Sequence, residues 1–381
     1  MTGKMPKRVL FASPWWHQDI INGTVRHAAE HGWHLDLQTV LSGQLPDRWT
    51  GQGVITLLGG DIDKQRHFLQ NIKCPVVSMN ENYPEFGLPT VCQDDEMAGR
   101  MAAMHFAERF FRLHAFYSHG SSLYAAQIRC AAFESEVKRH GGEILTLQWD
   151  KLKKARPNTW ENRQIWLRER LRKIAKPLAV FATNDQAAVE VVEACMIEGI
   201  AVPDEVAVLG MLDMRLFRDS TTISLSSIQV DFDTLTRIAC DLLEELMAGK
   251  PPPLEPIILA PGGVAVRRST DTMASEHPQV RRAIQFMTEH FTRSLDTDAI
   301  ARAAGMSKSG LYSAFKQDLR QTPYVILTRI RVNQAKRMLR DTKLPVSSIA
   351  EACGFADAVN LYRNFKTIVG LSPAAFRKGG R

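Results

Sequence analysis

Along the first 270 residues, short apolar runs alternate with longer stretches in which apolar side chains recur every three or four positions. The runs at 8–12, 53–58, 76–79, 113–117, 144–147, 178–182 and 206–209 are bounded by Gly, Pro, Asn or Asp and predict β-strands. The stretches at 20–31, 94–110, 125–140, 160–174, 186–198 and 232–248 predict helices. Such alternation implies βαβ units, with parallel sheets covered by helices on both faces. The region is longer than one hydrophobic core usually organises, so two lobes are expected.

Beyond residue 295 the pattern turns wholly helical and repeats itself. Ile300-Ala301, Gly305, Ser307, Leu311-Tyr312 and Phe315-Lys316 return as Ile349-Ala350, Gly354, Asp357, Leu361-Tyr362 and Phe365-Lys366, with Leu, Phe and Lys each 50 residues apart and Gly 49. In each copy a short amphipathic helix meets a glycine that can end it with positive φ. Ser307 or Asp357 can then accept the first N–H groups of a second helix, whose Leu and Phe lie four apart on one face. This is the helix-turn-helix plan, in which the second helix enters the DNA major groove. One copy alone reads equally as an ordinary helical hairpin, but a chance hairpin would not repeat its turn glycine, cap and core pair in register. Facing away from the core pairs are Lys308, Ser309, Tyr312 and Ser313 in the first copy and Ala358, Val359, Tyr362 and Arg363 in the second. Arg363 is the best direct base reader, because a guanidinium pairs bidentately with guanine, and Lys316 and Lys366 are expected on phosphates. Between the copies, a helix from Pro323 to about Arg340 would span roughly 26 Å. That length can hold two reading heads on successive major grooves, about 34 Å apart.

Residues from about His277 to Arg377 resemble the DNA-binding domain of AraC/XylS-type transcription regulators. The linker signature stands as Thr322-Pro323, Arg331, Ala335 and Leu339, and the terminal signature as Gly370-Leu371-Ser372-Pro373 with Phe376-Arg377. The chain departs from that pattern at Leu361, where an aromatic residue is usual, and at Ala358 and Val359, where polar residues are common.

Charge sharpens this picture. From Glu276 onward 18 Lys plus Arg stand against 8 Asp plus Glu, a net +10, which leaves −3 for the 275 residues before it. So lopsided a domain is the electrostatic footprint of phosphate binding. The six cysteines are scattered, with no C-x-x-C pair, and read as reduced and buried rather than as a disulfide framework or zinc site. No apolar run is long enough for a signal peptide or membrane span, so a cytoplasmic protein is expected. No G-x-G-x-x-G opens a helix and no P-loop is present, which disfavours a nucleotide-driven enzyme; neither cofactor nor metal is expected. His27-Ala28-Ala29-Glu30-His31 matches the H-x-x-E-H arrangement of some zinc proteases, but His31 falls on the last helical turn, where a histidine complements the helix dipole.

The N-terminal region carries a second resemblance. Phe181-Ala182-Thr183-Asn184-Asp185, the run from Gly199 to Gly210, Ser227-Ile228-Gln229 with Asp231, and Val266-Arg267-Arg268-Ser269-Thr270 are similar to the effector-binding core of LacI/GalR regulators. The resemblance implies two α/β lobes of the periplasmic-binding-protein kind with the effector between them. It places the effector domain at 1–270, a linker at 271–280 and the DNA-binding domain at 281–381, with only six residues ahead of Lys7 where LacI/GalR proteins carry their headpiece. It also implies site residues. Asn184 and Asp185 would hydrogen-bond sugar hydroxyls, Arg129 would reach into the cleft, and Trp160 would cover one face of a sugar ring. Leu212 stands where the family has a gripping carboxylate, which leaves Asp213 to replace it or a less polar effector. Trp15 and Trp16 would wall the other side, or belong to the core. The expectation is a regulator of double-stranded DNA controlled by a neutral sugar, most simply a pentose such as D-xylose. Another sugar or a non-sugar metabolite is the alternative effector. A homodimer that works with RNA polymerase is expected. The rival class is a DNA-repair alkyltransferase with an AraC-like module, which would need an activated cysteine.

Overall fold

Val9, Leu10 and Phe11 are fully buried in succession, the signature of a parallel strand covered on both faces. The computed structural model describes residues 6–119, 123–149, 157–218, 220–275 and 277–379. The first lobe is built from β1 (Arg8–Ala12), α1 (Gln18–Glu30), β2 (His34–Asp36), α2 (Gln38–Ser42), β3 (Gly53–Thr56), α3 (Ile62–Asn71) and β4 (Val76–Ser78). Its sheet runs β2-β1-β3-β4, all parallel. After β5 (Val91–Gln93) the chain crosses to the second lobe through α4 (Asp95–Ala107), β6 (Leu113–Ser118), α5 (Tyr124–Arg139), β7 (Glu143–Gln148), α6 (Trp160–Lys173), β8 (Leu178–Ala182), α7 (Asp185–Ile197), β9 (Val206–Leu212), α8 (Arg215–Arg218) and β10 (Ser226–Gln229). It returns for α9 (Phe232–Met247) and β11 (Ile257–Leu259), which pairs with β5, and crosses again to β12 (Val264–Ala265) on the edge of the second sheet. That sheet runs β12-β10-β9-β8-β6-β7, with only β12 antiparallel. Two parallel sheets joined by three crossings leave a cleft where the carboxyl ends of their strands face each other, which is where ligands of such folds bind.

Missing glycine side chains set two close helix contacts. A Cβ on Gly23 of α1 would stand 2.3 Å from Thr236 Oγ1 of α9, and one on Gly99 of α4 would stand 2.5 Å from the Arg129 carbonyl of α5. Gly99 therefore lets α4 and α5 pack nearly backbone to backbone, and Gly23 leaves α1 room for the Thr236 side chain of α9. The strands that the periodicity did not predict, β2, β5, β10, β11 and β12, have two to four residues each. Runs that short show no period of their own.

The all-α domain comprises α10 (Pro278–His290), α11 (Thr297–Ala304), α12 (Lys308–Leu319), α13 (Pro323–Asp341), α14 (Val346–Ala352), α15 (Ala358–Val369) and α16 (Pro373–Gly379). One apolar core lies under α10–α12 and a second under α14 and α15, with α13 contributing to both. The polar stretch expected to be a linker is packed in place: Ala274 belongs to the core of the second lobe, Met273 to that of the helical domain, and the Ala274 N–H donates to the Arg109 carbonyl at 2.8 Å. Among the described residues no helix is long and apolar enough to cross a membrane.

Candidate effector cleft and nucleic-acid interface

A cavity of about 390 Å³ opens between the lobes. Trp15, Trp16 and His17 enter it from the loop after β1, and Met79, Asn80, Glu81 and Asn82 from the loop after β4. Arg129 of α5, Thr183 and Asn184 after β8, and Leu212, Met214 and Phe217 at and beyond the end of β9 face them from the second lobe. Asp95, which begins α4, and Phe232, which begins α9, sit at the crossings. Trp15 and Trp16 are 39% and 56% exposed, so they belong to the cleft and not to the core. The Trp15 ring lies on Gly59, where a Cβ would meet it at 2.2 Å. His17 caps α1 by accepting from the Ile20 N–H and packs edge-on to Phe232 at 4.5 Å; burial lowers its pKa to about 4, so the ring is neutral. The walls thus combine broad aromatic faces with a few polar groups, the usual makeup of a small-molecule pocket.

Arg129 is fixed by two protein partners. Its Nε donates to Asp95 Oδ1 and its Nη1 to the Thr183 carbonyl, both at 2.6 Å. Asn184 uses its carboxamide oxygen to cap α7, accepting from the Ala187 N–H at 2.8 Å.

Three expected site residues lie off the cavity wall. Asp185 is fully buried, with Oδ1 accepting from Ser227 Oγ and Oδ2 from the Met214 N–H, both at 2.6 Å. It latches α7 to β10 and to the segment after β9, and Gly210 makes room for it, since a Cβ there would stand 2.3 Å from Asp185 Oδ1. Burial raises its pKa to about 7. Trp160 opens α6 and lies 5.9 Å from the guanidinium of Arg163, which is itself held on the buried Glu190 at 2.8 Å. Asp213 pairs with Arg267 at 2.7 Å and accepts from Gln229 Nε2 at 3.0 Å. The reason is the backbone: φ is 100° at Leu212 and 51° at Asp213, and through this strained turn the leucine is on the cavity wall and the carboxylate is not. Sequence reasoning passed over Glu81, Gln93, His119, Phe217 and Phe232, all of which line the cavity. The polar run Asn80-Glu81-Asn82 directly after a predicted strand was the signal that could have found the first.

The H-x-x-E-H match resolves into ordinary pairings. His27 lies 2.7 Å from Glu30 and 3.2 Å from Asp233, and His31 3.1 Å from Asp241.

In the helical domain the two copies fold alike. Gly305 and Gly354 take φ of 68° and 74°, Ser307 accepts from the Gly310 N–H at 3.1 Å, and Asp357 accepts from the Asn360 N–H at 2.7 Å. Leu311, Phe315, Leu361 and Phe365 are fully buried. On the opposite faces Lys308, Ser309, Tyr312, Ser313 and Lys316 are exposed in α12, as are Val359, Tyr362, Arg363 and Lys366 in α15, while Ala358 is half-buried. Lys308 pairs with Asp298 at 3.2 Å. The 19-residue α13 spans about 28 Å at 1.5 Å per residue. Its Arg331 donates to the Phe291 and Arg293 carbonyls at 2.9 and 2.7 Å, bolting the second head to the first.

The two domains meet at the far end of α4. Arg112 donates to the Asp318 carbonyl after α12 begins its last turn, at 3.3 Å; Arg329 of α13 lies 5.3 Å over the Phe110 ring; Arg337 pairs with Asp271 at 2.6 Å; and Arg340 donates to the Val264 carbonyl at 2.7 Å.

Residues 103–270 match the periplasmic binding protein-like domain family, and residues 300–379 a helix-turn-helix domain family. The chain is 26% identical to the Xylose operon regulatory protein of Escherichia coli K12 over 341 residues, 86% of this chain and 84% of that one. Its helical end is 32% identical to the Arabinose operon regulatory protein of the same organism over 119 residues, 30% of this chain and 41% of the relative. The chain is a DNA-binding transcription regulator that joins a periplasmic-binding-protein-like domain to an AraC-type helix-turn-helix domain. The regulator is also 25% identical over 329 residues to the Xylose operon regulatory protein of Haemophilus influenzae, covering 83% of each chain. Its fold is that of a solved structure described as the xylose-binding transcription activator XylR, with a TM-score of 0.62 at 23% identity over 99% of each chain.

Proposed function

We propose that a neutral monosaccharide, first of all a pentose such as D-xylose, binds in the cleft and changes the affinity of the two reading heads for operator DNA. Arg129, Asn184, Trp15 and Trp16 are the proposed effector contacts. The exposed residues of α12 and α15 are the proposed DNA contacts, with Arg363 reading a base and Lys316 and Lys366 on phosphates. The sugar class is supported by the aromatic walls, by hydrogen-bonding groups of both kinds, and by the names of the relatives in E. coli and H. influenzae. Regulation of transcription needs access to DNA and RNA polymerase, which places the proposed site of action in the cytoplasm; we propose a homodimer there.

One observation carries the reading: α4, closely packed on α5 at Gly99, runs from the cleft to the segment on which the helical domain sits. α4 starts at Asp95 on the cavity wall, is held to Arg129 of α5, and leads to Phe110 and Arg112 against α13 and α12. A ligand that prefers one setting of Arg129 and Asp95 therefore biases the seat of the helical domain.

Thiol chemistry is the less favoured reading. Burial pushes the thiols of Cys92, Cys195 and Cys240 up to about 12 and that of Cys353 to about 11, the reverse of an activated nucleophile.

The test is a thermal-shift panel of pentoses and hexoses on the full chain. A pentose is expected to raise Tm in the wild type and not in Arg129→Ala. A panel in which no sugar shifts Tm would overturn the effector class.

A further inference from the structure

Two carboxylates line the cavity, Asp95 and Glu81, and two more, Asp185 and Asp213, lie behind its wall; three of the four are already committed. Asp95 holds Arg129, Asp185 accepts from Ser227 and Met214, and Asp213 pairs with Arg267. The fourth is Glu81. Its neighbours on both sides are clamped to one residue of the β3 loop: Asn80 accepts from the Leu58 N–H and donates to the Leu58 carbonyl, and Asn82 donates to the same carbonyl, each at 3.0 Å. Ser78 Oγ also donates to the Asn80 carbonyl at 2.8 Å. The loop is thus held rigid by its asparagines, and the glutamate between them is a wall residue of the cavity. Among the described residues no donor pairs with its carboxylate. Partial burial, then the nearby Asp95, raises its pKa, as befits a charge without a counter-charge.

We propose that Glu81 is the carboxylate that reads the effector, accepting hydrogen bonds from two neighbouring hydroxyls of a neutral sugar, in the role that Leu212 cannot fill. This rests on the sugar reading above and deepens it. An ionised carboxylate has two oxygens spaced to accept from a vicinal diol, and charge-assisted bonds of that kind are about twice as strong as neutral ones. Glu81 belongs to the first lobe, whereas Arg129 and Asn184 belong to the second. A sugar gripped by all three spans the cleft, so it binds the closed arrangement better than the open one. The same charge, beside Asp95, disfavours sugar acids and sugar phosphates.

Calorimetry on the full chain with D-xylose, L-arabinose, D-ribose, D-glucose and D-glucosamine tests this, for the wild type, Glu81→Gln and Trp160→Ala. The expected result is a neutral sugar that binds the wild type and Trp160→Ala alike and binds Glu81→Gln about 10- to 100-fold more weakly. The melting temperature of ligand-free Glu81→Gln should not fall, because an unpaired charge has been removed; a structural glutamate would lower it. Equal affinity of wild type and Glu81→Gln would overturn the role of Glu81 and leave the sugar reading standing. Binding confined to D-glucosamine would overturn the diol pairing in favour of an ammonium. No binding by any sugar would overturn both.

Discussion

The two reading heads and the cleft are made in opposite ways. Each head is a local object, in which a glycine, a cap and two core side chains lie within about a dozen residues of one another in sequence. The cleft is assembled from loops after β1, β3, β4, β6, β8 and β9, with residues as distant as Trp15 and Phe232 on one wall. A local object announces itself through spacing; a distributed one depends on turns that only the finished fold sets. Even within the heads, repetition conceals an inequality. A Cβ on Gly305 would meet nothing nearer than Arg282 Nη2 at 3.9 Å, but one on Gly354 would stand 2.2 Å from the Phe291 carbonyl. The first glycine only turns the chain, whereas the second also lets its head lie against the first.

That inequality yields the largest predicted effect. Both glycines have positive φ, so alanine at either adds roughly 1–2 kcal/mol of backbone strain. Gly354→Ala also drives a methyl into a carbonyl and should cost more than about 3 kcal/mol in urea unfolding, with loss of DNA binding. Equal costs at the two sites would show the heads to be equivalent after all.

Next comes the latch beneath the cleft. Asp185→Ala leaves the Met214 N–H and Ser227 hydroxyl without their acceptor and should cost about 3 kcal/mol, whereas Asp185→Asn should cost far less. The folded carboxyl holds its proton up to about pH 7, against an ordinary 3.8. The folded state therefore binds more protons in that window, and this group makes the protein less stable as pH rises through it. Asp185→Asn should remove that part of the slope; an unchanged pH–stability curve would mean that Asp185 is ionised in the fold.

On the DNA side, Arg363→Ala should cost about 1–3 kcal/mol on the cognate site and relax discrimination at one base pair. The same loss on scrambled DNA would make it a phosphate contact. In the cleft, Trp15→Ala should weaken effector binding by about 1 kcal/mol, and Trp160→Ala should leave it unchanged. The reverse order would return Trp160 to the site.

Much of this was legible beforehand. The strands from β1 to β9 that are buried on both faces, the long helices and both heads follow from period, caps and turn glycines, and Arg129 and Asn184 stand on the cleft wall. The positions of Asp185, Trp160 and Asp213 were not legible, because each is decided by a partner far away in sequence: Ser227, Glu190 through Arg163, and Arg267. Nor does composition signal positive φ at a leucine, yet that turn exchanges Leu212 for Asp213 on the cavity wall.

The central claim is that cleft and heads are coupled, and reciprocal binding tests it most directly. DNA selected from a random pool by the wild-type chain would be titrated with and without saturating sugar, and the sugar titrated with and without that DNA. The account predicts that both dissociation constants change by one common factor of about 5 to 150, as linkage demands. Sugar affinity unaltered by bound DNA would contradict it.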